Sequence, residues 1–143
     1  MKLIFLDIDG VLNKKENQLP DVCVIEENPL SLLSDLIRKS GAEVILTSSW
    51  RLATDEPWRE PLLCGGISVA GQTARLNGNN RRREIELYLE SHAPVEAFVI
   101  LDDQAGHWGK LKNNCVHVNA KVGLTEANIA QALNILGVYL KKS

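Results

Sequence analysis

Two carboxylates separated by one residue follow the first apolar run of the chain. Residues 3–6 are typical of a buried strand, Asp7 and Asp9 come directly after it, and Gly10 allows a sharp turn. Because a strand alternates its side-chain directions, the two aspartates would share a face if the strand continued. Carboxylates this close repel each other unless a cation lies between them or one is protonated. The pattern fits Mg²⁺ ligands and equally an ordinary Asp-Gly turn.

A second acidic pair favours the metal interpretation. Asp102 and Asp103 follow the apolar run 97–101, and a third apolar run, 43–46, is followed by Thr47. In an open α/β sheet, ligands bind beyond the carboxyl ends of the strands. Carboxylates from two strands could hold a divalent cation there, while a hydroxyl and backbone N–H groups from the third bind a phosphate.

Composition limits the class of protein. The chain has 143 residues, of which 45% are hydrophobic, so we expect a single domain over 1–143 with its own core. A formal net charge of −2 argues against a general nucleic-acid coat protein but allows a local basic groove. Three scattered cysteines without C-x-x-C spacing indicate small core residues and a reducing, cytoplasmic location. No apolar run reaches membrane-spanning length.

Apolar periodicity predicts strands that alternate with helices. The predicted strands are 2–7, 43–47, 67–69, 97–101 and 115–118, and the predicted helices are 29–40, 82–91 and one capped by Thr125 that runs to about 141. Residues 50–66 fit a short helix or an ordered loop. The alternation predicts a three-layer, Rossmann-like α/β fold, with a mainly parallel five-stranded sheet and helices on both faces. Right-handed crossovers bring the strand ends to one edge.

The intervals between the polar motifs exclude a large insertion. The stretches from Asp9 to Thr47 and from Thr47 to Arg81 are each too short for a folded domain, since domains typically have about 50 residues or more. We therefore expect no cap domain and an open site that suits a bulky substrate or a completing partner. Trp50 then fits either core packing or stacking on a base.

The motifs in this order resemble the haloacid dehalogenase-like (HAD) hydrolase superfamily, whose members are mostly Mg²⁺-dependent phosphatases. The resemblance spans nearly the whole chain. Residues 7–11 match the Asp-x-Asp-Gly-Val signature, Thr47 ends a hydrophobic strand, an arginine within 81–83 opens a helix, and 102–103 supply the acidic pair. More narrowly, residues 46–51 and the arginine-rich helix entry resemble the small capless branch found beside RNA-repair enzymes.

The resemblance implies a role for each acid. Asp7 would attack phosphorus to form an aspartyl-phosphate, and Asp9 would protonate the leaving oxygen and then activate water. The acid must reach the leaving group while the nucleophile points in line at phosphorus. Mg²⁺ would be bound by Asp7, Asp9 (through its backbone carbonyl), Asp102 and Asp103, with Asp103 acting through water or by orienting Asp102.

The resemblance also implies a set of phosphate contacts. Thr47 and the N–H of Ser48 would hold phosphate oxygens, as strand-to-helix turns commonly do. Arg81 would be the stabilising cation, although three adjacent arginines, 81–83, leave the register open. Arg51 would contact the substrate phosphate or a neighbouring nucleotide. Ser48 or Ser49 could instead cap a following helix, and for Ser49 this is the favoured interpretation.

The leading hypothesis for function is a Mg²⁺-dependent phosphatase with an aspartyl-phosphate intermediate, acting on a phosphorylated nucleotide or nucleic-acid end. A receiver-like phospho-acceptor domain also groups acids, a hydroxyl and a basic residue around Mg²⁺. It carries its adjacent acids on the first strand, whereas this chain carries them late. A catalytically silent binding module on the same fold is the third hypothesis, against which the intact Asp7 and Asp9 argue. The preference for 3′ or 5′ phosphate and the oligomeric state are left open.

Overall fold

The computed structural model, which describes residues 1–78 and 80–138, contains one parallel sheet of five strands. The strands are β1 (Lys2–Leu6), β2 (Glu43–Leu46), β3 (Val69–Gln72), β4 (Ala97–Asp102) and β5 (Cys115–His117). Their order is β3-β2-β1-β4-β5, and every neighbouring pair is parallel. Because β1 is central and flanked by β2 and β4, the three strands that precede the predicted site residues are adjacent.

Helices cover both faces of the sheet. The α-helices are α1 (Glu27–Ser40), α2 (Arg59–Cys64), α3 (Arg81–Ser91) and α4 (Glu126–Ile135), and 3₁₀ helices span Lys15–Asn17, Ser49–Leu52 and Gly109–Asn114. The helices α1 and α4 contact each other and pack with α2 on one face, whereas α3 packs on the other. The predicted three-layer α/β fold is confirmed.

The central strand supplies both cores. Ile4 and Leu6 are fully buried beneath α1 and α4, and Leu3 and Phe5 are buried on the α3 side. This division follows from the alternation of side chains along a strand. A parallel strand covered on both faces is apolar throughout, which explains the continuous apolar run of β1.

Three predicted elements have boundaries that differ from the structure by two residues or more. The third strand was predicted at 67–69, but Ile67 is buried in the core and its N–H bonds Leu62 O after α2, so pairing starts only at Val69. Helix α1 begins at Glu27, two residues before the predicted start, with Pro29 in its first turn, where no N–H is needed. Helix α4 ends at Ile135, and residues 139–141 of its predicted extension lie outside the described residues.

The stretch 50–66, for which the sequence allowed two interpretations, contains the end of a 3₁₀ helix, a loop and α2. Between β1 and α1 the described chain forms loops and one short 3₁₀ helix, which agrees with the absence of a cap domain. Within the described ranges, no helix is both long enough and apolar enough to cross a membrane.

Candidate active site

The predicted site residues meet at the carboxyl edge of the three central strands. Asp7 follows β1 and its N–H bonds Leu101 O over 3.1 Å, while Asp102 is the last residue of β4. Thr47 follows β2 and its N–H bonds Leu6 O over 2.9 Å. The backbone hydrogen bonds of the sheet therefore continue one residue beyond β1 and β2. They align the polar residues at the carboxyl ends of the three central strands.

Three carboxylates form a compact cluster at this edge. One oxygen from each of Asp7, Asp102 and Asp103 lies within 4.8 Å of the others. The side chains of Asp7 and Asp102 are buried, whereas Asp103 is half-buried. Mg²⁺ binds oxygens at about 2.1 Å, so two ligands of one ion lie roughly 3–4 Å apart. The spacing and the oxygen donor set fit this ion.

Arg81 bridges two of these acids. It is the first residue of α3, and its Nη1 lies 3.1 Å from Asp7 Oδ2 and 2.7 Å from Asp102 Oδ2. Asn80 caps the helix by accepting a hydrogen bond from the N–H of Arg83, and the Arg83 side chain pairs with glutamates of its own helix. The start of α3 therefore places Arg81 at the acidic cluster and Arg83 on the surface.

Burial dominates the electrostatics of the cluster. It raises the pKa of Asp7 to about 8, with Arg81 opposing the shift and the charges of Asp102 and Asp103 adding to it. Burial likewise raises the pKa of Asp102, again against the effect of Arg81. Burial alone would lower the pKa of Arg81, but the two carboxylates outweigh it and raise the pKa. The site therefore holds more acid than one arginine neutralises, and a bound cation would relieve this.

The Asp9 carboxylate lies outside the three-acid cluster. Its Oδ2 accepts a hydrogen bond from Trp50 Nε1 at 3.1 Å, and its Oδ1 accepts one from Asn13 Nδ2 at 3.0 Å. Asn13 is fully buried, and its Oδ1 in turn accepts from the N–H of Gly10. Of the predicted metal ligands, Asp9 is thus the one whose side chain the structure does not bring to the others. Trp50 is a hydrogen-bond donor in addition to packing on the core.

Gly10 makes a close approach between two loops possible. Its φ is +82°, a conformation that L side chains rarely adopt, and a Cβ at this position would lie 2.4 Å from Asp103 Oδ2. The turn after β1 therefore contacts the acid after β4 directly, and only glycine fits there.

The hydroxyl residues after β2 divide into two roles. Thr47 is fully buried, and its Oγ1 has no hydrogen-bond partner among the described residues. A buried hydroxyl without a partner is uncommon and marks a position that a ligand oxygen could satisfy. Ser48 Oγ accepts a hydrogen bond from the N–H of Trp50 at 3.3 Å and caps the 3₁₀ helix. Of the two serines that could cap this helix, Ser48 is the cap, and the preference for Ser49 was wrong.

Arg51 is a structural residue in this geometry. Its guanidinium donates to Thr47 O (2.8 Å), Ser48 O (3.0 Å) and Thr73 O (2.9 Å), and it pairs with Glu84 Oε1 at 3.2 Å. Only 4% of its side chain is exposed. Because these bonds commit most of its donors, the predicted contact with substrate phosphate is not supported. Arg51 instead ties the end of β2 to the loop after β3 and to α3.

An open cleft of about 600 Å³ leads to the acidic cluster. Its walls come from the 3₁₀ helix after β2, the loop before α3 and the end of β4, and they include Arg75, Arg81, Asp102 and Asp103. Arg75 was not predicted as a site residue. Its loop carries no motif, and the only signal in the sequence is a basic residue a few positions before the arginine cluster.

The parallel α/β sheet and the acidic cluster at its edge are consistent with a HAD-type hydrolase, and the following family match indicates a phosphohydrolase at the superfamily level. Residues 3–129 match the family described as the HAD domain in Swiss Army Knife RNA repair proteins. The chain belongs to this family, as the resemblance of its motifs predicted. No curated protein and no solved structure matches the chain.

Proposed function

We propose that this chain is a Mg²⁺-dependent phosphatase that hydrolyses a phosphomonoester with Asp7 as its nucleophile. The observation that carries the proposal is the bridge from Arg81 to Asp7 and Asp102, with the Asp103 carboxylate in the same cluster. A carboxylate nucleophile beside a fixed guanidinium and further acids suits phosphoryl transfer, in which catalysis depends on positioning and neutralisation of charge.

The two acids that follow β1 would have different roles in the formation and hydrolysis of the aspartyl-phosphate. An Asp7 oxygen attacks phosphorus, the ester P–O bond breaks, and the leaving oxygen takes a proton from Asp9. Asp9 then accepts a proton from the water that attacks the aspartyl-phosphate, which releases phosphate and restores Asp7. The N–H of Ile8 bonds Asp7 Oδ1 at 2.9 Å and limits rotation of the nucleophile.

The remaining residues would hold the phosphoryl group. Arg81 donates to its oxygens, and the buried Thr47 hydroxyl and the Ser48 N–H contact it from the other strand. Mg²⁺, when bound by Asp7, Asp102 and Asp103 together with the Asp9 carbonyl, would neutralise charge that develops on the transferred group.

The substrate we propose is a phosphorylated nucleotide or nucleic-acid end. Three features support this class: the open cleft, the arginines that line it, and the family description, which refers to RNA repair proteins. A cleft of about 600 Å³ exceeds what a phosphate alone requires and falls within the usual range for small-molecule ligands.

The proposal is tested by phosphate release from an aryl phosphate and from a panel of mononucleotides, phosphorylated oligonucleotides, sugar phosphates and phosphopeptides. We expect Mg²⁺-dependent turnover that EDTA stops and added Mg²⁺ restores. Asp7→Asn should lower kcat by about three orders of magnitude or more. Asp55→Asn, the same change at an exposed position before α2, should have no effect. Turnover without metal, or full activity in a folded Asp7→Asn protein, would contradict the proposal.

A further inference from the structure

The cleft holds one arginine whose charge has no acidic partner. Arg51 pairs with Glu84 and Arg81 with two aspartates, whereas Arg75 forms no ion pair with any described residue. Arg75 is exposed and lines the same cleft as Arg81. Its guanidinium is therefore available to an anion that enters the cleft.

The backbone that carries Arg75 is fastened on both sides. Arg51 Nε donates to Thr73 O over 2.9 Å, and the N–H of Leu76 donates to Glu84 Oε2 over 2.8 Å. Both anchors belong to the buried Arg51–Glu84 pair, which is 4% and 6% exposed. The backbone at Arg75 is therefore already fixed before a ligand binds. The conformational entropy lost on binding is then mainly that of the Arg75 side chain.

Arg75 and Arg81 both lie close enough to Arg51 to affect its pKa. Burial lowers the pKa of Arg51, Glu84 opposes that shift, and the charges of Arg81 and Arg75 lower it further. The cleft lining also contains carboxylates, but Glu84 pairs with Arg51 and Asp102 pairs with Arg81. The charge of Arg75 therefore remains to attract an anionic ligand. Guanidinium groups bind phosphate through paired N–H donors, which suits them to recognise a phosphodiester.

We propose that Arg75 binds a second phosphate of the substrate, the phosphodiester next to the terminal phosphate of a single-stranded nucleic acid. Arg81 and the acidic cluster would receive the terminal phosphate, and Arg75 at the cleft wall would receive its neighbour. The domain then selects strand ends over mononucleotides. This inference rests on the proposed function and narrows its substrate class.

Binding without turnover tests the inference. In the Asp7→Asn background with Mg²⁺, fluorescence anisotropy would measure the affinity for short single strands phosphorylated at the 5′ or the 3′ end. Arg75→Gln should weaken binding of the preferred strand by about tenfold. It should also reduce the slope of log affinity against log salt by about 0.7. Arg38→Gln removes the same charge from an exposed position on α1 and should change neither quantity.

A neutral methylphosphonate at the linkage next to the terminal phosphate makes the test specific. In the protein that retains Arg75, this modification should weaken strand binding as much as Arg75→Gln does. In the Arg75→Gln variant it should cause no further loss of affinity. Additive losses would overturn the inference, and so would equal affinities of Arg75→Gln and Arg38→Gln for the strand. The inference would also fail if no single strand bound, or if a phosphopeptide bound as tightly as the strand with the same dependence on Arg75. A chain that binds strands through Arg75 but releases no phosphate would overturn only the proposed function, whereas turnover without this binding would overturn only the inference.

Discussion

The indole N–H of Trp50 donates a hydrogen bond to Asp9 Oδ2 over 3.1 Å, between residues 41 positions apart. The carboxylate after β1 is thereby held by the 3₁₀ helix after β2, and Asn13 holds its other oxygen. The orientation of the proposed general acid thus depends on a segment outside its own turn, which makes Trp50 a positioning residue.

Trp50→Phe should lower kcat by about tenfold for an alkyl phosphate, because Asp9 loses one of its two donors and protonates the leaving oxygen less effectively. The loss should be smaller for an aryl phosphate, whose leaving group needs less protonation, and KM should change little. Steady-state kinetics on the two substrates would measure this difference.

Trp58 offers a matched control for that experiment. It is buried, and its Nε1 has no hydrogen-bond partner in the described part of the chain. Trp58→Phe therefore removes an indole without removing a hydrogen bond and should leave the ratio of the two rates unchanged. Equal effects of Trp50→Phe on both substrates would show that Trp50 acts only through packing.

Gly10→Ala should destabilise the protein and weaken Mg²⁺ binding. Any L side chain in the left-handed region costs about 1–2 kcal/mol, and here the new Cβ also displaces the Asp103 carboxylate. Gly66→Ala is the control, because its φ is +78° and no atom lies within 4 Å of its Cβ. Urea denaturation with and without Mg²⁺ would separate the effects. If both variants lost equal stability and bound Mg²⁺ alike, the contact with Asp103 would be unimportant.

The stability of the metal-free protein should fall as the pH rises towards about 8. Asp7 has a pKa of about 8 in the folded state against an ordinary value of 3.8, so the folded state keeps a proton that the unfolded state releases. Its contribution to the free energy of unfolding is complete below about pH 3.8 and is lost as the pH passes about 8. The raised pKa of Asp102 acts in the same direction.

Denaturation curves between pH 5 and pH 9 would measure this dependence. Asp7→Asn should flatten the profile, and saturating Mg²⁺ should stabilise the wild-type protein most at the alkaline end, where the carboxylates are ionised. If the stability of the metal-free protein rose between pH 5 and pH 9, this would contradict the raised pKa of Asp7 in the folded state.

The buried Arg51–Glu84 pair should be essential for stability. Glu84→Gln leaves the Arg51 charge without its carboxylate at a site that is almost closed to solvent, and this should lower the free energy of unfolding by about 3 kcal/mol. Asp35→Asn breaks the exposed pair with Arg38 and should cost less than about 0.5 kcal/mol. Urea denaturation measures both. Equal losses would show that burial of the Arg51 pair has little energetic consequence.

Side-chain partners were the part of the site that the sequence could not predict. Arg51 looked like a substrate contact, yet its guanidinium bonds Thr73 O, 22 residues away, and pairs with Glu84 on α3. The choice among the arginines at 81–83 depended on the Asn80 cap, which sets where α3 begins and which side chain faces the sheet. Nothing in the local pattern distinguishes these alternatives.

Local pattern was sufficient for the fold and for the edge on which the site lies. Apolar runs that end in Asp7, Thr47 and Asp102 determine three strands, and parallel connection brings their ends together whatever the details of packing. Tertiary structure alone decided that Asp103, packed against Gly10, lies beside Asp7 and Asp102. It also decided that the Asp9 side chain bonds Trp50 instead. The reason is physical: strand formation depends on neighbouring residues, whereas the direction and charge state of a buried side chain depend on groups that only folding brings near.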